Sequence, residues 1–129
     1  MMNSSVTKLN HLQIPQPQKQ VINHLLKKFL NNPSIDSVFL FGSCARGVAN
    51  ENSDIDMLVV TNSKVYDDSH EAFDTIYGGA DDIPLEHYVS CDILTATKDE
   101  FHHETTPLIK TVKREGVKLI CKQVYKNCS

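Results

Sequence analysis

Two short stretches of the chain bring together residue types that chemistry needs. Phe39-Leu-Phe-Gly-Ser43 ends an apolar run on a glycine and a hydroxyl, and Ser53-Asp-Ile-Asp-Met-Leu-Val-Val60 opens another on two acids. Gly42 has no Cβ, so the backbone there reaches dihedrals closed to other residues and lets a bulky anion come close. Ser43 adds a hydroxyl and is expected to N-cap a helical turn over residues 43–46, whose free N–H groups favour phosphate. Asp54 and Asp56 lie two apart on an expected strand, which turns both carboxylates to one face and Ile55 to the other. Two convergent carboxylates with no basic neighbour in sequence repel each other. A hard cation such as Mg²⁺ relieves that repulsion and prefers oxygen ligands. A phosphate cradle beside such a pair would bind a metal–nucleotide complex.

Hydrophobic periodicity outlines the elements that must position these residues. Val21, Ile22, Leu25, Leu26, Phe29 and Leu30 recur at helical spacing, so residues 18–31 read as an amphipathic helix stopped by Asn32-Pro33-Ser34. Residues 37–41 and 54–60 read as strands joined through a loop over 47–53, and residues 67–77 as a helix ended by Gly78-Gly79. Residues 85–94 alternate in the manner of a half-buried strand. Residues 97–104 and 107–115 look helical, the latter with Pro107 near its start and Gly116 just past its end, and 117–121 form a last short strand. The expected fold class is α/β (α+β): a mixed β-sheet flanked by helices.

Gly42-Ser43, ten intervening residues and then Asp54-x-Asp56 resemble the signature of nucleotidyltransferases in the DNA polymerase beta superfamily. The fuller string, Gly-Ser-x-Ala-Arg-Gly followed by Ser-Asp-Ile-Asp, resembles the smallest members, the minimal nucleotidyltransferases (MNT), antitoxin-type partners of HEPN toxins. The resemblance implies a polymerase-beta-like fold and three carboxylates holding two Mg²⁺ ions, with ATP as substrate. Asp54, Asp56 and a third acid from a later strand would be both catalytic and metal-binding. Asp92 is the candidate for the third, because its strand neighbours Cys91 and Ile93 are apolar and face the other way; Glu86 is the alternative. Asp81 and Asp82 read as loop residues. Gly42, Ser43 and Arg46 would contact the nucleotide, although Arg46 reads equally as a surface residue.

The family also implies a function: transfer of AMP from ATP to a hydroxyl of a partner protein, a tyrosine of a small helical HEPN ribonuclease toxin. Two alternatives stay open, a non-catalytic antitoxin that blocks its partner sterically and an aminoglycoside-type transferase acting on a small molecule.

Bulk properties bound these readings. A chain of 129 residues fits one domain, expected here as a flexible leader over 1–17, a nucleotidyltransferase domain over 18–122 and a tail over 123–129. No apolar run approaches the ~20 residues that cross a bilayer, and the polar start with Pro15 and Pro17 is unlike a secretory signal. A cytoplasmic protein is expected. The net charge of -3 argues against direct nucleic-acid binding, although the chain turns basic after Thr105, a face that could dock an acidic partner or simply be solvated. Cys44, Cys91, Cys121 and Cys128 show no paired spacing and read as reduced thiols, with Cys44 and Cys91 as buried fillers. Asp67, Asp68, His70 and Glu71, like His102-His103-Glu104, read as solvated helix ends.

Overall fold

The two apolar runs become the central strands of a four-stranded sheet. The computed structural model describes residues 11–62, 89–103 and 106–121. Its elements run α1 (Gln16–Leu30), β1 (Ile35–Phe41), α2 (Gly42–Arg46), β2 (Ile55–Thr61), β3 (Cys91–Thr97), α3 (Lys98–His103), α4 (Pro107–Glu115) and β4 (Val117–Cys121). Strand β1 pairs antiparallel with β2 and with β4, and β2 pairs parallel with β3, so the order is β3-β2-β1-β4. The sheet is mixed and flanked by helices, as the sequence leads one to expect.

Central strands covered on both faces read as unbroken apolar runs, because neither face meets water. On one face Val38, Leu40, Ile55, Met57 and Val59 share a core with Val21, Ile22, Leu25, Leu26 and Phe29 of α1. On the other, Phe39, Phe41, Leu58 and Val60 pack with Val112 of α4, with Phe101 of α3 against them. Phe39 and Phe101 stack with ring centroids 4.9 Å apart. Lys113 lies 5.0 Å over the Phe101 ring and Lys118 5.5 Å over that of Phe39, so two lysines of the basic C-terminal stretch roof this core.

Helix α1 begins two residues ahead of the periodic pattern. Pro15 is its N-cap, a proline occupies its first turn, and Leu12 and Ile14 already pack on the core. Strand β3 begins at Cys91 and runs to Thr97, where the alternation pointed to 85–94. Pairing decides this: β3 stays in register with β2 from Ile55–Cys91 to Thr61–Thr97. Residues 85–88 and the expected helix over 67–77 lie outside the described residues. A capping box starts α3. The Thr97 hydroxyl accepts from the Glu100 N–H at 3.1 Å, and the Glu100 carboxylate accepts from the Thr97 N–H at 2.9 Å. Cys44 and Cys91 are free thiols, whereas Cys121 is disulfide-bonded, which corrects the expectation of reduced thiols throughout. Among the described residues no helix is long and apolar enough to cross a membrane.

Phe29 is fully buried and ties α1 to the sheet. Truncation by Phe29→Ala is expected to cost about 3–5 kcal/mol through lost burial and the cavity left behind, read as a lower midpoint in urea unfolding.

Candidate active site

Antiparallel pairing of β1 with β2 and parallel pairing of β2 with β3 bring three strand ends to one edge of the sheet. Phe41, the last residue of β1, pairs with Asp56, and Asp56 pairs with Asp92. Partners in register share a face, so Asp56 and Asp92 stand side by side on strands about 4.8 Å apart. Asp54 lies just ahead of β2 and not within the strand.

The electrostatics agree with that convergence. Burial raises the Asp56 carboxyl above its ordinary 3.8, the charges of Asp92 and Asp54 raise it further, and Arg46 works in the opposite direction. Cys44 is pushed up to about 11 by burial and then by Asp56. Cys91 is pushed up to about 11 by burial and then by Asp92, Asp54 and Cys44. Both thiols stay protonated and serve as packing, with the Cys44 Sγ–H donating to the Asp54 carbonyl at 3.8 Å.

Gly42 is required twice over. Its φ of 75° lies in the left-handed region, and the space a Cβ would fill is taken by the Asp56 carboxylate. The glycine thus makes room for an acid, beyond letting an anion approach. Ser43 is the second residue of α2 and not its N-cap; Phe41 holds that position without a side-chain cap bond. The N-cap therefore lies two residues earlier than hydroxyl chemistry suggested, with Gly42 in a left-handed conformation as the first residue of the helix.

These residues open on a cleft of about 440 Å³. Gly42, Ser43 and Arg46 line it from α2, Ser53, Asp54 and Asp56 from the start of β2, and Thr111 and Glu115 from α4 across the way. Asp92 does not line the cleft; it flanks Asp56 from β3. Arg46 is both a surface residue and a cleft residue: its guanidinium is half-exposed and donates to the Glu115 carboxylate at 2.9 Å. Thr111 and Glu115 escaped the sequence reading. Their only signal was i, i+4 spacing, which sets them on one helix face. Glu86, Asp81 and Asp82 lie outside the described residues. His102 and His103 are exposed, and His103 bonds the Asp99 carbonyl of its own helix at 3.0 Å.

Among the described residues no three His, Cys, Asp or Glu side chains form a ready-made metal cage. The donor chemistry nonetheless fits a hard cation. All the converging donors are carboxylates, and Asp56, raised first by burial, is raised further by the charges of Asp92 and Asp54.

A mixed sheet ending in acids beside a glycine–serine corner defines an α+β domain with an acid-lined cleft. Residues 19–119 match the model of the nucleotidyltransferase domain, and the chain belongs to that family. No curated protein matches it. Similar solved structures include the toxin-antitoxin with AMP-PNP, at 24% identity over 81% of this chain and 73% of that one, with a TM-score of 0.53. A mutant of the toxin-antitoxin MntA-HpeT follows at 21% identity over 84% and 75%, TM-score 0.51. At such identities the likeness is one of fold.

Two predictions arise from this geometry. Gly47 shares the positive φ of Gly42 but has nothing near its absent Cβ. Gly47→Ala should therefore cost only the left-handed strain, about 1–2 kcal/mol, and Gly42→Ala more, because Asp56 must also move; paired urea titrations measure the difference. For Asp56, the folded carboxyl binds its proton more tightly than the unfolded one, so its ionisation opposes folding as pH rises above 3.8. With chelator present, Asp56→Asn should melt higher than the parent at neutral pH, and the gain should vanish once the pH falls below 3.8.

Proposed function

We propose that the chain transfers AMP from ATP to a hydroxyl group of a partner protein, a tyrosine of a small helical HEPN-type toxin, and thereby acts as its antitoxin in the cytoplasm. The observation that carries this reading is the register of Asp56 with Asp92, at the edge where Asp54, Asp56 and the Gly42-Ser43 corner line one cleft. Family membership supports nucleotidyl transfer. The similar structures are toxin-antitoxins, one of them with AMP-PNP, which supports ATP as donor and a toxin as partner.

In this reading Asp54, Asp56 and Asp92 would hold two Mg²⁺ ions. When bound, such ions lower the pKa of the acceptor hydroxyl and neutralise charge on the triphosphate. The chain's own residues do the positioning. The open backbone at Gly42 and the Ser43 hydroxyl receive phosphate oxygens at the start of α2, and Arg46 offers its guanidinium beside them. The acceptor oxygen forms its bond to the α-phosphorus as the bond to pyrophosphate breaks, and the hydroxyl proton leaves to solvent. Little covalent work is asked of the protein, so positioning and charge stabilisation account for the acceleration.

Co-expression of the full chain with the toxin partner should add one AMP to that partner, read by intact-protein mass. Asp56→Asn should slow the transfer by about 10²–10³-fold, roughly 3–4 kcal/mol of transition-state stabilisation. A folded Asp54→Asn/Asp56→Asn double variant that transfers at the parent rate would refute the reading.

A further inference from the structure

We propose that Gln18 is a positioning residue that sets Asp54 by gripping the turn ahead of it, an inference that rests on the nucleotidyl-transfer reading. Gln18 sits in the first turn of α1, fully buried and more than thirty residues from that turn in sequence. Its Nε2 donates to the carbonyls of Asn50 at 3.0 Å, Glu51 at 2.9 Å and Ser53 at 3.0 Å. Its Oε1 is buried with no hydrogen-bond partner. Chemistry fixes the amide's orientation, because a flipped group would aim its oxygen at three carbonyl oxygens.

The helix start explains why this amide is available. A glutamine at the third position of a helix commonly reaches back to accept the N–H of the N-cap residue. Here the N-cap is Pro15, which has no N–H. The side chain is released from its local partner and spans to the turn.

That turn is otherwise closed on itself. The Asn50 N–H donates to the Ser53 hydroxyl at 2.9 Å, the Asn52 N–H to the Asn50 side-chain oxygen at 2.8 Å, and the Ser53 N–H to the Asn50 carbonyl at 3.0 Å. Gln18 ties this self-bonded unit to the core. Asp54 follows immediately, and the next residue is anchored by the Ile55 N–H donating to the Ser90 carbonyl at 2.9 Å. Asp54 is therefore held between two fixed points, one of them Gln18. An apolar side chain in the same space would leave the Asn50, Glu51 and Ser53 carbonyls without this donor, so the amide is what links the turn to the core.

The test compares the full-length parent with Gln18→Met, which keeps the stem and donates nothing, and Gln18→Asn, which keeps the amide on a shorter stem. Each is followed by thermal melting, amide hydrogen exchange over residues 50–54, Mn²⁺ binding by calorimetry and AMP transfer to the partner. The expected result is a folded Gln18→Met with faster exchange confined to 50–54, Mn²⁺ affinity weakened about tenfold and kcat lowered with the nucleotide KM little changed. Unaltered exchange, or faster exchange with Mn²⁺ affinity within about twofold of the parent, overturns the positioning role. So does loss of folding in both variants, which would make Gln18 a stability residue, and so does a parent that binds no Mn²⁺. A parent that binds Mn²⁺ yet transfers no AMP sinks the transfer reading, while the exchange and binding comparison still decides the role of Gln18.

Discussion

Like-charge crowding at one end of the sheet is the constraint to which the surrounding structure answers. Asp56 is held beside Asp92 by strand register and near Asp54 by sequence, in a half-buried position that raises its carboxyl. Such an arrangement opposes folding at neutral pH, and the rest of the molecule must offset it. Register cannot slip to relieve it. A shift of one residue in β2 would carry Ile55, Met57 and Val59 out of the α1 core, all of which are fully buried. The apolar strands thus fix a polar cluster that would otherwise separate.

The two faces of the sheet divide the work. Helix α1 seals one face along its length with Val21, Ile22, Leu25 and Phe29. The other face is covered by α3 and α4 only up to the strand ends, where Thr111 and Glu115 of α4 look across at α2 instead of packing down. The cleft lies where the cover stops. Its floor needs a glycine because the Asp56 carboxylate fills the volume of a Cβ at position 42. The same local rule, an acid lodged over a left-handed glycine, joins the ends of β1 and β2 into one site.

Central elements were the most legible in the sequence, for a physical reason. Strands buried on both faces must be apolar throughout, so Val38 to Phe41 and Met57 to Val60 announced themselves. Helix α4 and strand β4 fell where Pro107 and Gly116 punctuate them. Strand β3 is less legible because it is partly exposed, with Asp92 and Leu94 facing out and threonines at 95 and 97. Its limits come from partnership with β2 and not from its own pattern. Within the site, Gly42, Ser43, Asp54 and Asp56 were visible as a local string. Glu115, 69 residues beyond Arg46, and Gln18, 32 residues before Asn50, were not, because a polar contact across such distances leaves no periodic trace.

The charge balance of the cleft is set by its acids. Asp54, Asp56 and Glu115 line it, Asp92 flanks it, and Arg46 is the one basic side chain among its described lining residues. Four carboxylates against one guanidinium leave a formal charge of 4 − 1 = 3 negative units when all are ionised. Part of the Arg46 charge is already engaged by Glu115 at 2.9 Å. A polyanionic triphosphate entering such a cleft meets repulsion from Asp54, Asp56 and Glu115, and fields in a cleft with low-dielectric walls are focused rather than dispersed. Proteins that bind phosphate through side-chain charge alone use clusters of Arg and Lys, and here Lys113 of α4 and Lys118 of β4 lie over Phe101 and Phe39 on the neighbouring core. For the proposed reaction the positive charge must therefore arrive with the nucleotide. Divalent cations held by the acids would reverse the sign of the site, and in the proposed reaction the crowding that opposes folding would become the source of affinity for a metal-bound substrate.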